Sequence, residues 1–468
     1  MKRVIIVGGG ISGLATAYFL QQGARRRGRP VECLLLERAP RFGGLIYTEK
    51  VGPFVVEGGP DSFLAQKPWG VDLCRRLDLS DELIPSNDHQ RKTFVLTGGR
   101  LREMPEGLML MVPTRVGPFL RSPLISWPGK LRIAMDWVLP ARAPAGDESV
   151  ATFVRRRLGR EALEKLAEPL IGAIYGGDVE RLSLKSTLPF LLDLESQYGS
   201  VIRGMRRRPA PALAPGGKPA SLFMSLRGGL FDMVRALLAR LDGVERRPGQ
   251  AVRAVQRRTP AEWAVYLDDG TVLAAEAVVI ALPAPEAVRV MAPSQPAAAA
   301  LLKDVPYTSA VTVSLGFARR DLARAPEGFG FVVPRVERRP LMACTWTSNK
   351  FSFRSDGDHV LVRGFTGGAH HPEMVDLDDE TLVRVVRDEL RAWVGVTAEP
   401  VLARVFRWRQ AMPQYPVGHV DRLAQVQAAL AETPGLFLAG NAYAGIGIPD
   451  CIHTGAQTAG RVLDYLTA

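Results

Sequence analysis

The most constraining feature of the chain is its opening. A short apolar, β-branched run over residues 3–7 leads straight into Gly8, Gly9, Gly10, Ile11, Ser12 and Gly13. Such a run marks a strand buried on both faces. A helical pattern follows over 12–22, which Gly23 is expected to end, and a second buried strand over 31–36 finishes at Glu37. Strand, glycine turn, helix and strand form a βαβ unit, so this part of the chain belongs in a parallel sheet. In a G-x-G-x-x-G turn the first glycine permits the tight bend and the second lets backbone approach a pyrophosphate. The third lets helix and strand pack closely, and the helix N-terminus aims N–H groups at the phosphates. Glu37 stands where a carboxylate holds a ribose diol, and a carboxylate there disfavours a 2′-phosphate. The unit reads as a site for FAD or NAD rather than NADP, against the plainer reading of a glycine turn without a ligand.

Three further glycine-dense segments point the same way. Arg41, Phe42, Gly43 and Gly44 lie just beyond the second strand, and Gly58, Gly59, Pro60, Asp61 and Ser62 follow Glu57. Near the far end a strand over 436–439 leads through Gly440, Asn441 and a glycine-rich stretch into a helix over 450–466. Paired glycines let backbone pass close to an extended cofactor. A nicotinamide enzyme has no need of this C-terminal return, whereas a flavoprotein holding a ribityl chain and ring does. Between these ends, 104–141 is rich in Met, Leu, Pro and Trp and reads as short helices broken by proline. Residues 148–176 read as helical, and 196–220 end in a Gly/Pro/Arg-rich exposed loop. A helix opening after 227–230, a hairpin across Asp269 and Gly270 and a buried strand over 277–281 follow. Residues 305–365 are mostly β-like, with alternation in VTVSLGF and HVLVRGF, and 376–395 are helical. The expected class is α/β, α+β overall: one nucleotide-binding domain assembled from separated segments, with other domains inserted.

Composition narrows the function classes. The chain has 468 residues, 47% hydrophobic and 23% charged, which suits a globular protein long enough for several cores. Cys33, Cys74, Cys344 and Cys451 form no CxxC pair, and the adjacent His370 and His371 lack partners at ligand spacing. Neither a disulfide framework nor a metal site is expected. The net charge of +12 comes from arginine, 50 against 10 lysines, with runs at 25–27, 155–157 and 206–208. These runs lack interleaved aromatics, so no nucleic-acid partner is expected. They read as solvated faces, or as a basic rim that draws an anionic substrate or membrane surface. A strand that starts at once leaves no room for a signal peptide, and no uncharged apolar run reaches the length of a membrane span. A cytoplasmic, reducing location is expected.

ERAPRFGG after GGGISG resembles the dinucleotide-plus-GG signature of the flavin amine oxidase superfamily. Within it, EGGPDSFLAQK, IYGGDVERLSLKSTLP, EGFGFVVP, MPQYPVGH and GNAYAGIGIPDCI resemble, in order, the bacterial porphyrinogen oxidases of haem synthesis. ACTWTSNK, MPEG…VPT and GIPDC are most similar to the soluble branch acting on coproporphyrinogen III. The resemblance implies a Rossmann-like FAD-binding domain from residues 1–66, 216–295 and 426–468. It implies a β-sheet substrate domain from 67–100 and 296–425, and a helical domain over 101–215. One non-covalent FAD per chain is implied, held by Gly8, Gly9, Gly10, Ile11, Ser12, Gly13, Glu37, Arg38, Arg41, Gly43, Gly44 and Leu45. Gly59, Pro60, Asp61, Ser62, Val252, Trp408, Asn441, Ile446, Gly447 and Ile448 complete that implied set. Substrate-side positions implied are Lys67, Gly176, Phe329 and Val332. No catalytic side chain is implied, because flavin N5 takes the hydride.

The implied reaction converts coproporphyrinogen III to coproporphyrin III, with molecular oxygen as acceptor and hydrogen peroxide released. Oxidation of protoporphyrinogen IX is the alternative, and a flavin amine oxidase or carotenoid desaturase is more distant. A downstream ferrochelatase is implied by family role alone. The arginine that pairs a propionate in other members has no clean counterpart, since 91–94 align in more than one way. Lys67 reads as a propionate anchor or as an exposed lysine at a helix start. Phe329 reads as a stacking partner or an ordinary core aromatic, Asp450 as the cap of the final helix and Cys451 as a small buried residue. The stretch 104–141 reads as a membrane-surface face or a substrate-cavity wall, and the soluble-branch resemblance favours the wall.

Overall fold

The computed structural model describes residues 1–142, 146–208, 221–324 and 326–467. Most of the loop expected to end at 220 lies outside them. Five parallel strands lie side by side in the order Val244–Pro248, Val31–Glu37, Lys2–Val7, Ala277–Ile280 and Leu436–Leu438. Three distant stretches of chain thus meet in one sheet. Both faces are covered, which explains the unbroken apolar runs. Val4 and Ile6 pack towards the helices Ile11–Arg26, Phe231–Ala239 and Ile448–Thr467. Ile5 and Val7 pack the other way, towards an antiparallel sheet of Val252–Thr259, Glu262–Leu267 and Val272–Ala275 and the helix Ala284–Met291.

The first helix corrects the reading of Gly23. It runs from Ile11 to Arg26, straight through that glycine, and Gly28 follows it with φ +61°. A Cβ on Gly23 would lie 2.4 Å from Leu463 Cδ1. The glycine is there so that the first and last helices can touch, and a helix-breaking residue tolerated for packing looks from sequence like a stop signal.

A second, seven-stranded sheet has the order Leu402–Pro413, Tyr307–Ala318, His359–Gly367, Leu341–Trp346, Gly330–Val332, Thr93–Thr97 and Arg100–Glu103. Its residues alternate with the two-residue period of a strand. Phe331, Cys344 and Val362 face the helix Asp379–Val394, whose N-terminus is capped by Asp378 accepting from Thr381 N at 2.7 Å. Val332, Ala343 and Phe365 face the opposite way, onto a helical region. That region includes Trp127–Ala134, Val150–Arg157, Glu168–Tyr175, Pro189–Tyr198 and Val201–Arg207. The stretch expected to be helical from 104 opens instead with a short hairpin, Leu108–Met109 paired to Val112–Pro113. Among the described residues no helix is long and apolar enough to cross a membrane.

One of the three arginine runs, 155–157, also departs from expectation. Arg157 is 1% exposed. Its Nε donates to Asp136 Oδ1 at 2.6 Å, and its fork donates to the carbonyls of Asp136 and Gly199 at 2.8 and 2.9 Å. The second Asp136 oxygen accepts from the Ser200 hydroxyl at 2.6 Å and Ile202 N at 2.9 Å. Arg156 bridges Glu195 and Glu148. A guanidinium carries five donors in a rigid plane, so it can be buried where carboxylate and carbonyl oxygens surround it. The run 206–208 finds its aromatics from afar: Arg206 lies over Trp137, Arg207 over Tyr198 and Arg208 over Phe190. Arg156 and Arg157 are thus built into the helical region, while Arg25 to Arg27 and Arg206 to Arg208 stay exposed, as expected of solvated faces.

Candidate active site

The glycine turn is formed as its spacing requires. Gly8 takes φ +109°, and its N–H donates to the Leu36 carbonyl at 2.8 Å. A Cβ on Gly13 would lie 1.9 Å from the Gly8 carbonyl oxygen, so the helix enters the turn with no room for a side chain. Gly10 precedes the helix and no side chain caps it, which leaves the first-turn N–H groups for an outside anion. The turn is backed by Gly43, whose N–H donates to the Gly9 carbonyl at 2.8 Å. Over Gly10 the space is open, since a Cβ there would meet nothing nearer than Gly44 Cα at 4.0 Å.

Glu37 ends the second strand and accepts from Gly9 N and Ala39 N, both at 2.7 Å. A carboxylate has about four acceptor positions, so two remain for a diol. Val252 joins this end of the site: Arg289 donates to its carbonyl at 2.9 Å, and Gln250 N donates to the Glu37 carbonyl at 2.8 Å. Arg38 turns to Glu286 at 3.2 Å. An open glycine cradle, an uncapped helix start and a carboxylate with free acceptors suit the phosphates and ribose of an adenine dinucleotide.

The middle of the site is held from the seven-stranded sheet. Arg41 donates to the Gly44 carbonyl at 2.8 Å and stacks over Tyr47 at 4.8 Å, so it fastens the loop carrying Leu45. The Leu45 carbonyl packs so closely on Gly59 that a Cβ there would lie 1.8 Å away. Trp408 Nε1, the Thr312 hydroxyl and Arg363 all donate to the Gly58 carbonyl, at 2.8, 3.1 and 3.0 Å. Arg363 also reaches the Gly59 carbonyl at 2.6 Å. Beneath the turn, Lys350 bridges both Asp61 oxygens, at 3.1 and 3.0 Å, and reaches Ser62 at 3.2 Å. Burial alone would raise the Asp61 pKa, but Lys350 and Arg363 outweigh it and hold the carboxyl well below its usual range. Asp61 and Ser62 thus face Lys350, and Pro60 precedes them in the turn. Sequence reasoning missed Arg363, Lys350 and Thr312. A signal existed: in HVLVRGF, Arg363 falls on one face of an alternating strand with Leu361 and Phe365, where a charge needs buried partners.

At the far end Asn441, Ile446, Gly447 and Ile448 share the turn into the last helix. The Tyr415 hydroxyl donates to the Asn441 carbonyl and accepts from Gly445 N at 3.2 Å. His419 stacks on Tyr415 with centroids 4.5 Å apart, and its Nε2 meets the Ala442 carbonyl at 3.1 Å. Asp450 does not cap the helix, which begins earlier, at Ile448. Its carboxylate lies against Gly445 and Gly447 and pairs with Lys67 Nζ at 2.7 and 2.6 Å. Lys67 precedes the helix Pro68–Arg76 and stays 40% exposed, so it is neither a free surface lysine nor fully enclosed. Cys451 is buried, and burial pushes its thiol up to about 11. Among the described residues no group of His, Cys, Asp and Glu is arranged to hold a metal.

His419 makes this turn sensitive to acid. Burial lowers its pKa to about 4, and its Nδ1 is buried without a partner. The unfolded chain therefore binds this proton at a higher pH than the folded one. The stability it contributes is present above pH ~6.5 and lost as pH falls towards 4, worth about 3 kcal/mol over that window. A thermal melt series from pH 7 to 4 should show this loss, and His419→Phe should remove the part due to His419.

Beside the turn the helical region meets the seven-stranded sheet. The helix Glu168–Tyr175 ends at Gly176, with φ +57°. Gln414 donates to the Tyr175 carbonyl at 2.9 Å and to the Thr308 hydroxyl at 3.1 Å, and Ala369 N donates to the Gly176 carbonyl at 2.9 Å. Val332 packs with Ala343 and Phe365 into the cluster that holds Ala173 and Tyr175. Phe329 is buried at the start of the same strand, its backbone tied to Lys92 and Trp346 at 2.7 and 2.9 Å. Burial, and after it the Asp450 charge, pushes the Tyr175 phenol up to about 12.

Residues 11–463 match the model of a family described as flavin containing amine oxidoreductase. The chain is 35% identical to a coproporphyrinogen III oxidase of Bacillus subtilis, covering 99% of this chain and 98% of that protein. It is 31% identical to a chloroplastic protoporphyrinogen oxidase of Oryza sativa, covering 99% of this chain and 88% of that one. A crystal structure from Exiguobacterium sp. 255-15, carrying a provisional protoporphyrinogen oxidase name, superposes with a TM-score of 0.88 at 32% identity. It covers 100% of this chain and 99% of that one.

Proposed function

The chain belongs to the flavin containing amine oxidoreductase family, with FAD as its cofactor, and from that premise we propose that it oxidises coproporphyrinogen III to coproporphyrin III. Each two-electron step removes a hydride from a methylene bridge and a proton from a pyrrole nitrogen, with one oxygen molecule reduced to hydrogen peroxide. When bound, FAD supplies the hydride-accepting ring position and the route of electrons to oxygen. The residues of the chain bind and orient. Gly8 to Gly13 and Glu37 would hold the dinucleotide. Gly59, Trp408 and the turn 441–448 would hold the ring end, with the division of the chain into flavin, sheet and helical domains as given above.

The observation that carries the substrate reading is Lys67, which Asp450 holds beside the turn 441–448 with an ammonium that partly reaches solvent. Gly176 ends the helix Glu168–Tyr175, whose Ala173 and Tyr175 pack with Val332 and Phe365. A porphyrinogen is puckered at its tetrahedral methylene bridges and carries its carboxylates at the rim, where an ammonium such as that of Lys67 can meet one. The surplus of basic residues also draws a polyanion inward. We place the enzyme in the cytoplasm, where its product would pass to a ferrochelatase. Purified protein mixed in air with coproporphyrinogen III or protoporphyrinogen IX should form porphyrin fluorescence and peroxide faster with the first. A preference for protoporphyrinogen would overturn the substrate but not the reaction class. No oxidation of either by the yellow protein would overturn both and reopen amines and carotenoids as substrates.

A further inference from the structure

A shallow cleft open to solvent lies on the outer side of Gly176 and Gly177, between the helix Glu168–Tyr175 and one end of the seven-stranded sheet. Its lining is unlike that of an apolar pocket: Glu168, Arg335, Arg339, His370 and His371 all face it. Arg339 is committed elsewhere, with its Nε 2.9 Å from Glu389 Oε1 and its guanidinium over Trp393. His371 lies 3.4 Å from Glu373. Arg335 is different. Its backbone N–H donates to Glu168 Oε2 at 2.9 Å, and among the described residues its guanidinium has no salt-bridge partner. His370 Nε2 is buried with no hydrogen-bond partner and sits 3.9 Å from Glu168 Oε1.

We propose that this cleft receives one carboxylate arm of the tetrapyrrole, with Arg335 and His370 as its donors and Glu168 as the group that sets its affinity. The inference rests on the porphyrinogen reading, because the cleft is lined by Gly176, a position that the family resemblance places beside the macrocycle. An orphaned buried nitrogen is a group waiting for an acceptor. A guanidinium without a carboxylate partner of its own is the residue type best matched to one. A carboxylate arm supplies both acceptors at once.

Glu168 makes the site depend on pH. Burial raises its carboxyl to about 7, opposed by the backbone hydrogen bond and charge of Arg335 and assisted by Asp178. Burial, then the charge of Arg335, keep His370 below its usual value, with His371 acting the same way and Asp178 against it. Arg339 also faces Glu168 across the cleft. Below pH 7 Glu168 is neutral and leaves the Arg335 guanidinium and the His370 ring nitrogen to the incoming carboxylate. Above pH 7 it ionises, repels that carboxylate and competes for Arg335. Affinity for the substrate should therefore fall as pH rises through about 7.

The test is steady-state kinetics of the FAD-loaded enzyme with coproporphyrinogen III and with its tetramethyl ester, whose carboxylates are masked. Arg335→Leu and His370→Phe should each raise KM for the free acid about tenfold, as expected for one lost charged hydrogen bond, and leave kcat in place. Neither variant should change KM for the ester. Glu168→Gln should flatten the rise of KM between pH 6 and 8. Equal effects on acid and ester, or an unchanged KM for the acid, would overturn the proposal while oxidation continued. A wild-type enzyme that oxidises neither compound would instead overturn the porphyrinogen reading itself.

Discussion

Gly13→Ala is expected to yield a protein that folds but carries less than about a tenth of the flavin of the wild type. The added Cβ would fall 1.9 Å from the Gly8 carbonyl oxygen, a contact that must be relieved by moving the first helix away from the turn. Overpacking of this kind costs about 1–3 kcal/mol in stability. The larger effect is on binding, because the first-turn N–H groups move with the helix, and each 1.4 kcal/mol of lost binding is roughly tenfold in affinity. Gly10→Ala separates the two effects. Its Cβ meets nothing nearer than 4.0 Å, and its φ of −71° suits alanine, so the fold should be untouched while the cradle is filled. Absorbance near the flavin bands after gel filtration, beside a thermal melt, reads both quantities. A Gly13→Ala protein with full flavin would show that this turn does not hold the cofactor.

The second large effect lies far from the site. Asp136→Ala should destabilise the protein by about 3–5 kcal/mol, because it takes from the fully buried Arg157 the carboxylate it is hydrogen-bonded to and leaves only the longer contact with Glu195. Three partners lose an acceptor at once, the Arg157 guanidinium, the Ser200 hydroxyl and Ile202 N, and Arg157 keeps its carbonyls and a longer contact of 3.5 Å with Glu195 Oε1. The double variant Asp136→Ala with Arg157→Met should recover most of the loss, since replacing a buried pair by apolar groups is often nearly neutral. Urea unfolding followed by tryptophan fluorescence is the measurement, with Trp137 next to the altered aspartate. A loss below about 1 kcal/mol in the single variant would show that the buried charge finds water.

Much of this protein could be read directly from its residues. The strand–glycine–helix–strand opening is encoded within 37 residues, by period, by turn glycines and by one carboxylate at the right distance. These signals are local, so they survive without knowledge of the rest of the fold. The C-terminal return was legible for the same reason, as a strand, a glycine turn and a helix in succession. Gly23 misled because a glycine in a helix has two causes, a stop or a close neighbour, and its neighbour Leu463 lies at the other end of the chain. Asp450 misled similarly. An acid at a helix start is ordinarily a cap, but here Lys67 arrives from a segment 383 positions away.

What the residues alone determined is the parallel flavin-binding sheet and the family chemistry that goes with it. Only the tertiary structure decided how the site is held. It brought Arg363, Thr312 and Trp408 onto one carbonyl, buried Arg157 beside Asp136, and left Arg335 and His370 facing a cleft with Glu168. The physical reason is that hydrophobic period and turn chemistry act between near neighbours, whereas the role of a charge depends on its burial and partners. Those partners come from strands and helices that meet only when the sheets have formed.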